Sequence, residues 1–109
     1  MPVTGIDHVQ VAAPPGCEPE ARRFYGELLG MEEVEKPEEL KKRGGVWFQC
    51  GRQQLHVGVQ EDFRPSSKAH PAFAVTGLDE MAQTLPVAWD GPRCYLKDPW
   101  GNRIELLAT

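Results

Sequence analysis

Arg93-Cys94-Tyr95-Leu96-Lys97-Asp98-Pro99-Trp100-Gly101-Asn102-Arg103-Ile104-Glu105-Leu106-Leu107 reads as a β-hairpin. Two alternating runs, Arg93 to Lys97 and Asn102 to Leu107, flank the turn Asp98-Pro99-Trp100-Gly101. Proline second and glycine fourth suit a type I turn. Successive strand residues face opposite ways, so Ile104 and Leu106 share one face and Arg103 and Glu105 the other. A carboxylate therefore stands mid-strand, opposite an apolar face.

Working outward, three more runs of this kind each hold one of the chain's three histidines. They are Ile6-Asp7-His8-Val9-Gln10-Val11, Leu55-His56-Val57-Gly58-Val59 and His70-Pro71-Ala72-Phe73-Ala74-Val75. In all four runs the apolar neighbours of the histidine or glutamate fall on the opposite face. A slip of one residue would reverse that parity. His8, His56, His70 and Glu105 on matching faces are expected to form one mononuclear metal site.

The remaining elements repeat in order. The first strand spans about Ile6 to Ala12 and ends at Pro14-Pro15-Gly16. A helix is predicted from near Glu18, with Ala21, Phe24, Tyr25, Leu28 and Leu29 at helical spacing and Gly30 as C-terminal cap. A short strand over Met31–Lys36, a loop over Pro37–Gly45, and a hairpin of Val46–Cys50 with Gln54–Val59 complete the first half. After a linker over Gln60–Ala69 come a strand over His70–Val75, a short helix marked by Leu78, Met81, Ala82 and Leu85, a strand over Val87–Asp90, and the opening hairpin. The order β-α-β-β-β thus occurs twice. The expected fold is α+β: two paired βαβββ modules, about residues 5–60 and 69–109, in one domain spanning 1–109. Each helix covers one face of its own sheet. The free faces are expected to cup an eight-stranded sheet around a cleft. By parity Gln10, Trp47, Gln49, Tyr95 and Arg103 face that cleft as substrate-binding candidates. Arg103 could instead pair with Glu105.

The totals exclude several classes. A chain of 109 residues with net charge -4 and dispersed basic residues is not expected to bind nucleic acid. No apolar stretch approaches membrane-spanning length, and the N-terminus reads as free of a signal peptide. Cys17, Cys50 and Cys94 form no Cys-x-x-Cys pair, and a reducing cytoplasm is the simplest setting. No nucleophile elbow, phosphate loop or dinucleotide fingerprint occurs, and Gly44-Gly45 reads as a turn.

The segment Asp98-Pro99-Trp100-Gly101-Asn102-Arg103-Ile104-Glu105-Leu106 resembles the D-P-x-G-N-x-x-E-L ending of the vicinal oxygen chelate superfamily. That group includes glyoxalase I, bleomycin and fosfomycin resistance proteins, methylmalonyl-CoA epimerase and extradiol dioxygenases. Ile6-Asp7-His8-Val9 and Phe24-Tyr25-Gly26-Glu27-Leu28-Leu29-Gly30-Met31 are similar to it too. The resemblance covers nearly the whole chain. It implies metal ligands on the first and last strand of each module, at His8, His56, His70 and Glu105. Two departures stand out. His56 occupies a position where glyoxalase I-like members usually carry Glu or Gln, and the second module is short. The resemblance also implies a homodimer, with the cleft built within one chain or from modules of two. The linker length permits either.

Three imidazoles and one carboxylate suit one divalent transition metal: Zn²⁺, Ni²⁺, Fe²⁺, Mn²⁺ or Co²⁺. An octahedral ion would keep two positions open for vicinal substrate oxygens and act as a Lewis acid. Glu105 is then the candidate catalytic proton shuttle. The expected function is that of a glyoxalase-like lyase, isomerase or oxygenase on a small oxygen-rich molecule. The alternative is a sequestering protein of the bleomycin resistance type, without catalysis. Metal dependence separates the two.

Overall fold

Eight alternating segments pair into two four-stranded sheets in the computed structural model, which describes residues 2–109. The chain divides after Phe63 into two compact units, each with its own sheet.

In the first unit β1 (His8–Ala13) leads to a short helix α1 (Glu18–Ala21), which continues as a π-helical segment over Arg22–Leu28. Strands β2 (Glu32–Val34), β3 (Val46–Cys50) and β4 (Gln53–Val59) follow. The sheet order is β1-β4-β3-β2, with β1 parallel to β4 and the other pairs antiparallel. The second unit repeats this plan. Strand β5 (Ala72–Val75), helix α2 (Leu78–Ala82) and strands β6 (Ala88–Asp90), β7 (Arg93–Lys97) and β8 (Arg103–Ala108) give the order β5-β8-β7-β6. β5 is parallel to β8, and the rest are antiparallel. The expected α+β class and the double β-α-β-β-β order are both present.

Alternation explains the cores. Val46, Phe48, Leu55, Val57, Val11 and Ala13 are buried on one face of the first sheet. Phe24 and Tyr25 are buried as well, and the Tyr25 and Phe48 rings meet at 6.1 Å. In the second unit Cys94, Leu96, Ile104 and Leu106 are buried together with Leu78 and Leu85. Cys17 is also buried, and burial pushes its thiol pKa up, the opposite of a reactive cysteine.

The elements depart from the sequence reading where backbone donors find other partners. The helix is not α-helical throughout: Leu29 N–H bonds the Phe24 carbonyl five residues back. Gly30, at φ 79°, ends it as expected, with Met31 N–H on the Tyr25 carbonyl. The Pro37–Gly45 loop contains a 3₁₀ segment, Glu38–Arg43. Strand β5 begins at Ala72 and not at His70, because Pro71 has no N–H to give to the ladder. Its carbonyl still accepts Glu105 N–H at 3.0 Å. Strand β8 begins after Asn102, whose N–H is taken by the Asp98 carboxylate at 2.8 Å.

Gly44 and Gly45 are more than a turn. Glu18 Oε2 accepts Gly45 N–H at 2.7 Å, and Lys36 Nζ donates to the Gly44 carbonyl. Gly45 has φ 90°, and a Cβ there would lie 2.2 Å from the Val57 carbonyl oxygen. Gly45→Ala is therefore expected to destabilise the protein by at least about 2 kcal/mol in chemical denaturation. The Gly45 N–H also holds the Glu18 carboxyl below its ordinary range. With the folded pKa depressed, the stabilisation is complete above the unfolded value and is lost as pH falls through the folded one. Wild type is expected to exceed Glu18→Gln by about 1 kcal/mol at neutral pH, and the two to converge in acid.

Candidate functional site

The face of the first sheet opposite its core carries His8 and Gln10 on β1, Gln54, His56 and Gly58 on β4, and Trp47 and Gln49 on β3. Register aligns them: Gln10 and Trp47 both flank His56, and His8 is level with Gln54. The result is a stack of three rings across three strands. Trp47 and His56 lie at 3.8 Å with 1° between planes, and His56 and His8 at 4.1 Å with 17°. His56 is buried, and burial, with His8 beside it, pushes its pKa down. The imidazole is therefore neutral at pH 7 and keeps a lone pair. Its Nε2 lies 2.9 Å from Gln54 Oε1. His8 Nδ1 donates to the Asp7 carboxylate at 2.9 Å. Gln10 lies over Gly58, where a Cβ would come within 2.6 Å of its amide nitrogen. Gln49 directs its amide N–H groups to the Gly51 and Gln53 carbonyls, both at 2.9 Å. It thus braces the β3–β4 turn.

In the second unit Glu105 is the centre. Tyr95 stands directly opposite it across β7–β8, and Ala72 is level with it on β5. Glu105 is 4 % exposed, yet both oxygens are engaged. Oε1 lies 2.8 Å from His70 Nε2, and Oε2 accepts Arg93 Nη1 at 2.7 Å. The His70 contact is the main cause of its lowered pKa, and Arg93 adds to it.

Arg93 is the residue that sequence reasoning missed. Arg103, expected to face the cleft as a substrate-binding candidate with Glu105 as an alternative partner, instead has its guanidinium over the Tyr95 ring, 4.3 Å from the centroid. Arg93 shares its face with Tyr95 by parity and sits diagonal to Glu105, within reach of a long side chain. That hairpin register was the available signal.

The donor set is informative about cations. His70 Nδ1 lies 2.9 Å from the Lys68 carbonyl, which can only accept, so Nδ1 carries hydrogen. In a neutral ring Nε2 then aims a lone pair at a carboxylate oxygen. Two electron pairs at this distance call for a cation, either a proton or a metal ion. A histidine whose other nitrogen is held by a backbone carbonyl or a carboxylate is the usual arrangement around metal sites. His70 and His8 both have it. In the second unit His70 and Glu105 thus offer two donors that meet at one point, whereas in the first unit His8 and His56 are stacked rings 4.1 Å apart. Neither unit alone groups three His, Cys, Asp or Glu side chains for a metal among the described residues.

This geometry sits on a known scaffold. A glyoxalase family protein from Bacillus anthracis is 53% identical over 100% of this chain and 98% of its own, with a TM-score of 0.91. The chain belongs to the glyoxalase family. Two further structures share the fold of this family member, which falls within the vicinal oxygen chelate superfamily. Lactoylglutathione lyase from Agrobacterium tumefaciens matches at 24% identity and TM-score 0.72, over 100% of this chain and 96% of its own. A fosfomycin resistance protein from Listeria monocytogenes matches at 14% and 0.74, over 98% and 92%. No protein-family model matches the chain, and no curated protein sequence does.

The glyoxalase-type sheet thus presents Glu105 between the His70 imidazole and the Arg93 guanidinium. Arg93→Gln is expected to raise the Glu105 pKa, read from the side-chain carboxyl carbon in an NMR titration. Because the depressed pKa stabilises the fold only above the folded value, the variant is also expected to lose stability relative to wild type at neutral pH and to match it in acid.

Proposed function

We propose that the chain is a metal-dependent enzyme, a lyase, isomerase or oxygenase, with His8, His56, His70 and Glu105 holding one divalent transition metal. The observation that carries this reading is the His70–Glu105 contact, with His70 Nδ1–H fixed on the Lys68 carbonyl. A proton shared there would serve structure alone. The second donor pair, His8 and His56, and the family membership favour a metal instead. The proposal takes one pair from each unit, supplied by one chain or by two copies. A neutral His56 suits the role, because a protonated imidazole cannot ligate.

A bound ion of this kind supplies Lewis acidity to adjacent substrate oxygens. The chain's own residues do the rest. Glu105 is the proton carrier: detached from the ion, it would accept a proton at a carboxylate oxygen and return it. Arg93 and His70 keep it ionised and oriented between transfers. Gln10 is placed to orient a polar group, and Tyr95 forms a wall beside Glu105. Trp47, stacked on His56, fixes that ring more than it offers a face to substrate.

Elemental analysis of protein grown in metal-replete medium is expected to give a stoichiometric transition metal. Removing it with a chelator is expected to lower the thermal midpoint. His8→Ala and Glu105→Ala are each expected to weaken metal affinity at least about 100-fold. A protein without stoichiometric metal, unchanged by either substitution, would favour the sequestering function instead.

A further inference from the structure

Beyond Glu105 the same sheet face runs on into a cavity of ≈ 710 Å³. Its floor is Tyr95, Lys97 and Arg103, and the linker residues Pro65, Ser66 and Ser67 form a wall. The size falls in the range of small-molecule sites. It adjoins the proposed centre, because Tyr95 is the cross-strand partner of Glu105 and its ring meets that of His70 at 5.8 Å.

The charges of this cleft are unusual. Lys97 stands directly opposite Arg103 across β7–β8. Like charges in that position destabilise a sheet. Among the described residues neither has a carboxylate partner, although the chain carries net charge -4. The acids nearby are occupied. Glu105 is bound by His70 and Arg93. Asp98 takes Trp100 N–H, Asn102 N–H and the Asn102 amide, at 3.0, 2.8 and 2.8 Å. Arg103 instead sits over the Tyr95 ring, 4.3 Å from its centroid, which holds the guanidinium in place by a cation–π contact. Two cations thus face the cleft without a counter-charge, beside apolar proline and aromatic surface.

We propose that this cleft binds an oxyanion on the substrate, so that the substrate class is a small organic acid, carboxylate or phosphoryl. Arg103 presents its planar fork to the oxyanion, Lys97 adds a point charge, and the Ser66 and Ser67 hydroxyls complete the donors. The apolar remainder of the ligand lies toward Tyr95 and Pro65. The substrate assignment rests on the metal reading above, whereas the anion site does not need the metal.

The test is calorimetry on the full chain, metal-loaded and chelator-stripped, with benzoate, phenylphosphonate and neutral benzamide as probes. Both anions, or the one whose geometry fits, are expected to bind stripped protein at least about 10-fold more tightly than benzamide, and more weakly as salt rises. Arg103→Gln and Lys97→Gln are each expected to cost about 10-fold in anion affinity, with benzamide binding unmoved and Arg103→Lys partly restoring it. The ratio between the two anions tells carboxylate from phosphoryl. Equal binding of anions and benzamide would overturn the proposal. So would anion binding that requires metal and ignores both substitutions, an outcome that leaves the metal reading standing. Charge-selective binding by a protein that holds no metal would uphold the anion site and sink the metal reading.

Discussion

The Asp98 carboxylate sets the register on which the second unit depends. It binds Trp100 N–H and the Asn102 backbone and side-chain amides, and Asp98 N–H returns to the Asn102 carbonyl. That closed turn aligns β7 with β8, so Tyr95 meets Glu105 and Lys97 meets Arg103. A shift of one residue would put Ile104 and Leu106 in water and Glu105 in the core. Packing and chemistry are therefore fixed by the same few hydrogen bonds. This is why a turn sequence is the most recognisable part of the chain.

The two units share topology but build chemically different faces. In the first, three rings stack across β3, β4 and β1, and the central imidazole is buried and neutral. In the second, a buried carboxylate is compensated by an arginine and a histidine. One face offers a neutral imidazole held in a ring stack, and the other offers a carboxylate already held in place. Repetition of the backbone plan sets only where a side chain stands, because each strand position is filled independently.

Strand parity is legible in the sequence because a period of two leaves little freedom. It places His8 and His56 on one face, and His70 with Glu105 on another. The Gly30 cap is legible for a similar reason, since a left-handed residue favours glycine. Side-chain direction at longer reach is not. Arg93 and Arg103 share a face, and only their rotamers decide which takes Glu105 and which takes Tyr95. The i→i+5 winding of the helix is hidden as well, because Phe24, Tyr25 and Leu28 suit either winding. The hydrogen on His70 Nδ1 depends on a carbonyl two residues away, in a linker with no periodic pattern.

In both sheets the first strand is an outer one and the last strand an inner one. Each pair of proposed ligands thus joins an edge to a centre: His8 with His56, and His70, just ahead of β5, with Glu105. Edge strands are held by one neighbour and open more readily than central strands. A cation gripped by such a pair would act as a clasp, lowering the chance that the margin peels from the middle. Loss of the cation would be felt first as fraying at β1 and β5, with the interior of each sheet still intact.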